Sequence, residues 1–202
     1  MSVAGTVNLR LRAVPVVCLY CLGMLPALWF FWRGATGGLG PEPIGALEHE
    51  LGLLALQLVI ATLAVSPLRR LTGVNLICFR RAFGVLAFVY MALHLAVWAV
   101  LDLRDPALIW EDLTKRPYIL VGMAAILLAA PLTATSNDWA LRRLGGAAWR
   151  RLHRLTYPMV VLAGLHFVMV RKGLQIEPLI YLGLIAGLLA WRMRRGLSRA
   201  AA

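Results

Sequence analysis

Residues 82–101 read AFGVLAFVYMALHLAVWAVL, twenty consecutive positions without a formal charge. A helix needs about 20 mainly apolar residues to cross the hydrocarbon core of a bilayer, so this stretch predicts a transmembrane helix. It nevertheless carries an imidazole, at His94. An ionisable side chain in a membrane usually faces the interior of a helix bundle, where it pairs with a neighbour or binds a ligand.

Five further segments have a similar length and composition. The 202-residue chain is 61% hydrophobic, with a mean hydropathy of +0.77, which is not typical of a soluble domain. We therefore predict an all-α membrane protein, a single domain over residues 1–202 that forms a bundle of six transmembrane helices. The predicted helices span residues 13–32, 51–68, 82–101, 117–136, 155–170 and 174–191.

Charge is distributed unevenly between the predicted loops. With the N-terminus on the cytoplasmic side, 15 of the 21 Lys and Arg residues but only one of the nine acidic residues lie on that side. An excess of Lys and Arg marks cytoplasmic loops, so we expect both termini to be cytoplasmic. The same distribution accounts for the net charge of +12 through topology and contacts with membrane lipid, and we expect no nucleic acid partner.

Two more histidines, His153 and His166, bracket the fifth predicted helix. The third and fifth helices run in the same direction, and His94 and His166 each lie about 12 or 13 residues along their helix, hence at similar depth in the outer half of the membrane. Imidazoles at equal depth on neighbouring helices can ligate a haem iron from opposite faces. Taken alone, His94 suits a simple hydrogen bond to another helix equally well. The fourth histidine, His49, begins the second helix, where an interfacial role is favoured over redox chemistry.

His153 and Arg80 suggest a second cofactor-binding position near the cytoplasmic side. His153 precedes His166 by 13 residues, or about 20 Å of helix. Arg80 precedes His94 by 14 residues and lies within about 40° of the same helical face. Its guanidinium can pair with a haem propionate or a flavin phosphate. On a regular helix His153 and His166 would point about 140° apart, so we expect Pro158 to cause a kink or rewinding between them.

The chain resembles the MsrQ family, formerly YedZ, of haem-binding membrane subunits in bacterial methionine sulfoxide reductase systems. It is more distantly similar to the ferric-reductase-like transmembrane domain shared with NADPH oxidases. The resemblance covers nearly the whole chain, and the ordered combination of short stretches is more specific than any one of them. These stretches are GGLG at 37–40 with Pro43, Arg80 and Arg81 with Gly84, Leu93 with His94, TKRPY at 114–118, LTATS at 132–136, Trp149 through His153 to His166, and PLIY at 178–181.

The resemblance implies a multi-pass protein of the bacterial inner membrane in which His94 and His166 ligate one b-type haem (heme b). It places His153 and Arg80 at a second position. The oxidase relatives pair four histidines around two haems, and Arg80 stands here in place of the fourth. One haem or two therefore remain open. Some family members are also associated with FMN, although no flavin motif is evident in the sequence.

The resemblance also implies partners. Electrons would come from a cytosolic flavin reductase or from quinol, and would pass to a periplasmic molybdopterin-containing subunit, MsrP-like, that reduces methionine sulfoxide in proteins. We expect an electron-transfer subunit with no substrate-reduction site of its own. Only eleven residues follow Trp191, too few for a dinucleotide-binding fold, so we expect a separate molecule to supply the reducing equivalents.

Two other functions fit the same residues. A quinol-linked b-type cytochrome could serve a different partner, and reduction of the haem by quinol without a flavin reductase would favour it. A non-redox transporter could use the histidines as a proton relay. Against a transporter, the predicted helices contain almost no acidic residues and no inverted repeat is evident.

Overall fold

The structure is a computed structural model that describes residues 3–171 and 175–200. In those residues the chain is helical and contains no strand. Six helical segments are long and apolar enough to cross a membrane, as the sequence predicted, and they indicate a multi-pass membrane protein. They are Val16–Ala35, Pro43–Thr72, Ile77–Leu103, Pro117–Ala134, Asp138–Val170 and Ile176–Arg194.

We number the α-helices of the described residues in chain order. They are α1 (Val3–Ala13), α2 (Val16–Ala35), α3 (Pro43–Thr72), α4 (Arg80–Ala96), α5 (Pro106–Lys115), α6 (Pro117–Ala134), α7 (Asp138–Leu152), α8 (Thr156–Val170) and α9 (Ile176–Ala200). Three short elements continue these helices: 3₁₀ turns at Ile77–Phe79 and His153–Leu155, and a π-helix at Val97–Leu103.

Helix α3 is longer than the sequence predicted, since it spans Pro43–Thr72 rather than residues 51–68. Its 30 residues make it about 45 Å long. Pro43 suits the first helical position, where no backbone N–H is needed. Gly73 ends the helix in the left-handed conformation, with φ of 78°. The predicted start of the sixth transmembrane helix, Leu174, lies outside the described residues.

The bundle is built around α3, which packs against α2, α4, α8 and α9. Two clusters of buried apolar residues lie along it. The first joins Leu56, Val59 and Leu63 to Ala87, Ala129, Leu132, Met159, Val160 and Ile185. The second joins Leu47, Leu51 and Ala55 to Ala27, Tyr90 and Val97. Ala27 is the single buried residue of α2, so this helix lies at the periphery of the bundle.

A tyrosine hydroxyl attaches α2 to α4. The Tyr90 hydroxyl donates to the Gly23 carbonyl at 2.6 Å and accepts from the Ala27 N–H at 3.1 Å. In a regular helix that N–H and that carbonyl would bond to each other, because they lie four residues apart. The hydroxyl is therefore inserted into the backbone ladder of α2, beside Pro26, a residue that interrupts the same ladder.

Two groups of contacts define one end of the bundle. At the end that carries α1 and α7, here called the α7 end, Asn8 bonds to the turn after α3 through the Gly73 carbonyl and the Asn75 N–H. An ion pair of 2.7 Å between Arg81 and Asp138 joins α4 to α7 there. The opposite end, which carries α5, is called the α5 end.

Candidate functional site

The side chains of His94 and His166 meet between α4 and α8, near the α5 end. Their ring centroids are 6.2 Å apart and their planes are inclined by 76°. Both rings line one cavity of about 550 Å³, a volume typical of a small-molecule or cofactor site. The structure therefore brings together the two residues for which equal depth was predicted.

Each imidazole is anchored through Nδ1 to a backbone carbonyl. His94 Nδ1 lies 2.9 Å from the Glu48 carbonyl oxygen, and His166 Nδ1 lies 2.7 Å from the Tyr118 carbonyl oxygen. A carbonyl only accepts hydrogen bonds, so in both rings Nδ1 carries the proton. In a neutral imidazole Nε2 then holds a free lone pair. This is the usual arrangement of a metal-binding histidine, whose second nitrogen donates to a carbonyl or carboxylate.

Two glycines make room for these rings. A Cβ added to Gly52 of α3 would lie 3.1 Å from Nδ1 of His94. A Cβ added to Gly122 of α6 would lie 2.8 Å from Nδ1 of His166. Sequence reasoning missed both glycines. The available signal was their position inside apolar helices, which marks close packing but not the group that packs there.

The spacing of the two rings fits a metal held between them. A metal–imidazole bond is about 2 Å long, so two bonds plus the distance from each nitrogen to its ring centre give about 6 Å between centroids. No group of three or more His, Cys, Asp or Glu side chains in the described ranges is arranged to hold a metal ion. A site with two protein ligands suits a metal that brings its own equatorial ligands, as haem iron does.

The remainder of the cavity is apolar inside and polar at its mouth. Leu53, Leu56, Met91, Ile119, Ile126 and Phe167 line the interior, and Arg116, Arg171, His49, Gln175, Glu48 and Asp102 contribute polar groups. An apolar slot with cations at one edge fits a porphyrin, whose faces are apolar and whose propionates are anionic. The residues present are thus compatible with a haem between His94 and His166.

Two arginines at the mouth, Arg116 and Arg171, contact neighbouring side chains. Arg116 Nε lies 3.1 Å from the Asp112 carboxylate, and Arg116 donates to the Tyr118 hydroxyl at 3.4 Å, which raises the pKa of this guanidinium. Arg171 Nη2 lies 3.1 Å from Nε2 of His49, and the His49 ring lies 6.0 Å from that of Phe167. His49 therefore belongs to the wall of the same cavity.

His153 lies apart from this pair, in the 3₁₀ turn that precedes α8. Its Nε2 is 3.1 Å from the Thr135 hydroxyl. The Trp149 ring stacks on it with a centroid distance of 3.7 Å, and the indole N–H donates to the Thr135 carbonyl at 2.8 Å. One ring nitrogen and one face of His153 are therefore already in contact with the protein.

Arg80 begins α4 at the α7 end and is partly buried beside Arg192 and Tyr157. Arg192 is fixed by donating to the Leu63 carbonyl at 2.9 Å. Arg80 lies near enough to His153 for their charges to interact. Among the described residues that line the cavity of His94 and His166, neither Arg80 nor His153 is found.

The expected rewinding between His153 and His166 is present but does not lie at Pro158. It occurs in the 3₁₀ turn at His153–Leu155, and Pro158 follows in the first turn of α8, which begins at Thr156. A proline is tolerated there because the first turn of a helix has no intrahelical acceptors for its N–H groups.

Comparison with known proteins places the chain in a family. Residues 50–164 match the model of the ferric reductase like transmembrane component. Proteins named protein-methionine-sulfoxide reductase heme-binding subunit MsrQ are similar over most of the chain. The one from Rhizobium meliloti (strain 1021) is 47% identical over 188 residues, which cover 92% of this chain and 86% of that protein. The one from Brucella anthropi is 44% identical over 179 residues, 88% of this chain and 80% of that protein.

A third relative of the same name, from Agrobacterium fabrum (strain C58), is 44% identical over 188 residues, 92% of this chain and 86% of that protein. No solved structure gives a significant match to this chain. The family match covers more than half of the chain, and the identity to these relatives extends over nearly all of it. The chain therefore belongs to the ferric-reductase-like transmembrane family and, within it, to the MsrQ proteins.

Proposed function

We propose that this chain carries one haem b between His94 and His166 and acts as the electron-transfer subunit of a protein-methionine-sulfoxide reductase system. The observation that carries the proposal is the pair of imidazoles, each bonded to a backbone carbonyl. Their ring centroids are 6.2 Å apart, and both rings line a cavity of about 550 Å³. The names of the MsrQ relatives, which describe heme-binding subunits, support it.

The residues around the cavity have distinct tasks in this proposal. His94 and His166 would hold the haem iron through Nε2, and the carbonyls of Glu48 and Tyr118 would keep the two rings in the ligating tautomer. When bound, haem b would supply a one-electron carrier. The chain itself contributes orientation, an apolar environment and nearby charge.

We further propose that the α7 end faces the cytoplasm and the α5 end the periplasm of a bacterial inner membrane. The excess of Lys and Arg at the α7 end supports this orientation. Arg80, Arg81 and the arginines of α7 would meet the electron donor, which is a flavin reductase or a quinol. Their guanidinium groups suit the phosphate of FMN, whether carried by the donor or bound here. The α5 end would meet a molybdopterin-containing, MsrP-like partner.

His153 and Arg80 enter the proposal as residues of the donor side rather than as ligands of a second haem. The contacts of His153 with Thr135 and Trp149 support this assignment, because ligation through Nε2 would require the hydrogen bond to Thr135 to break. We therefore expect one haem per chain. A pyridine haemochrome assay on the purified protein gives the haem type and the stoichiometry together, and two haems per chain would contradict this part.

The proposal is tested by replacing the ligands one at a time. His94→Ala and His166→Ala should each abolish the low-spin Soret spectrum while the protein still accumulates in the membrane. His153→Ala is the matched control, since it removes an imidazole near the opposite end and should leave one haem per chain. Full haem retention in both ligand variants would refute the assignment.

The donor is tested on the wild-type protein in membranes. Reduction of the haem by a flavin reductase with its nicotinamide and FMN, but not by added quinol, would support the flavin route. Reduction by quinol alone would instead favour a quinol-linked cytochrome. A purified protein without a Soret band after haem-replete expression would exclude both redox functions and favour the proton-relay transporter.

A further inference from the structure

The two imidazoles are held by two helices in the same way, and we infer that Gly52 and Gly122 are positioning residues that keep His94 and His166 in their ligating orientation. The inference rests on the proposed haem function of this site. It assigns a role to two glycines through the histidines that they touch.

The same local arrangement occurs on α3 and on α6. Gly52 lies four residues after Glu48, and Gly122 lies four residues after Tyr118, and these are the two residues whose carbonyls accept from the histidines. In an α-helix the N–H of the residue four positions later also donates to that carbonyl. A carbonyl oxygen has two lone pairs, so each can accept both hydrogen bonds.

A residue larger than glycine would crowd the ring at either place. The side chain of a helical residue lies over the turn that precedes its own Cα, which is where the imidazole approaches the carbonyl. A Cβ would lie 3.1 Å from His94 Nδ1 at Gly52, and 2.8 Å from both Nδ1 and Cε1 of His166 at Gly122. The second contact is closer than real Cβ atoms tolerate, so His166 would have to move.

The backbone gives no other reason for glycine at these positions. Gly52 and Gly122 lie inside α3 and α6, and neither has a positive φ. Glycine within a helix is destabilising relative to alanine. The close approach of the imidazole is therefore the property that requires a missing side chain.

Displacing an imidazole would alter the metal site in a defined way. A longer Nδ1–H···O=C contact weakens the control of tautomer and ring direction, and loss of such a partner typically lowers metal affinity 10–100-fold. A ligand that no longer reaches the iron leaves one coordination position open. The ferrous protein would then bind carbon monoxide, which the form with two axial imidazoles does not.

The test compares three glycine variants of the full-length protein, purified without haem and titrated with it. We expect Gly122→Ala to lower haem affinity at least 10-fold and to bind carbon monoxide when reduced, and Gly52→Ala to show the same changes to a smaller extent. Gly84→Ala is the matched control in a membrane-length helix, because its Cβ would lie 3.9 Å from Thr62 Cγ2, an ordinary contact. Size-exclusion chromatography and helical circular dichroism report whether each variant is folded.

Failure of the inference and failure of the proposed function give different results. Haem affinity and carbon monoxide binding in Gly122→Ala and Gly52→Ala equal to those of Gly84→Ala would overturn the inference, while the loss of haem in His94→Ala would still uphold the function. A wild-type protein that binds no haem would overturn both. If Gly122→Ala does not fold, Gly52→Ala decides the question alone, since its contact is less severe.

Discussion

Replacing Tyr90 by Phe should weaken the attachment of α2 to the rest of the bundle. The Tyr90 side chain is fully buried, at 0% exposure, and Ala27, whose N–H donates to the hydroxyl, is buried as well. Phe fills the same space but leaves the Gly23 carbonyl and the Ala27 N–H without this partner. They can bond to each other only if α2 straightens beside Pro26.

The magnitude follows from the two hydrogen bonds lost. Hydrogen bonds inside membrane proteins contribute about 0.6 kcal/mol on average and up to about 1.7 kcal/mol. Two of them therefore amount to about 1–3 kcal/mol, the same range as the cost of one buried polar group left unsatisfied. We expect Tyr90→Phe to lower the free energy of unfolding by about 2 kcal/mol.

Unfolding in detergent, followed by circular dichroism, measures this difference. Tyr181→Phe is the control, because it removes a tyrosine hydroxyl that accepts a single exposed hydrogen bond, from the Gln57 amide at 2.7 Å. It should cost well under about 1 kcal/mol. Equal stability of the two variants would show that the Tyr90 hydroxyl does not hold α2 in place.

Two further predictions concern the α5 end. Because the planes of His94 and His166 are inclined by 76°, the ferric haem should give the strongly anisotropic low-spin EPR signal of near-perpendicular imidazoles; a rhombic three-line signal would contradict the geometry. Arg116→Gln should lower the free energy of unfolding by about 1–2 kcal/mol, less than the ~3–5 kcal/mol of a fully buried pair, because Asp112 is buried whereas Arg116 is half-exposed. Adding Asp112→Asn should restore most of that stability, and a double-mutant cycle with no coupling would refute the pairing.

The sequence predicted the helices and the meeting of His94 with His166 because both depend on residue counts. Hydropathy over about 20 residues identifies a membrane-length helix, and a constant rise per residue converts position into depth. The bounds of α3 were harder to predict, because the charged and polar residues 48–50 interrupt the apolar pattern. In the structure the helix continues through Glu48 and His49, and both residues line the cavity.

Features that depend on what approaches a residue could not be predicted from one sequence. Gly52 and Gly122 are small residues in apolar helices, and periodicity does not reveal that an imidazole lies against each. Likewise, Tyr90 sits in an apolar run like any core aromatic, and its insertion into the backbone of α2 depends on tertiary packing. The direction of His153 was predicted from a regular helix, but a 3₁₀ turn and the Thr135 hydroxyl determine it.

In the proposed function, the position of His166 near the end of its helix would make the two electron transfers unequal in length. Val170, the last residue of α8, lies four positions after His166, which corresponds to about 6 Å of rise. A redox partner bound at that end would lie within short tunnelling distance of the iron. The lifetime of the complex would then limit electron transfer from the haem to the partner. From His153 to His166 the helical rise is about 20 Å, which is most of the thickness of the hydrocarbon core. With a single haem, reduction of that haem by a donor on the cytoplasmic side would be the slow step of each turnover.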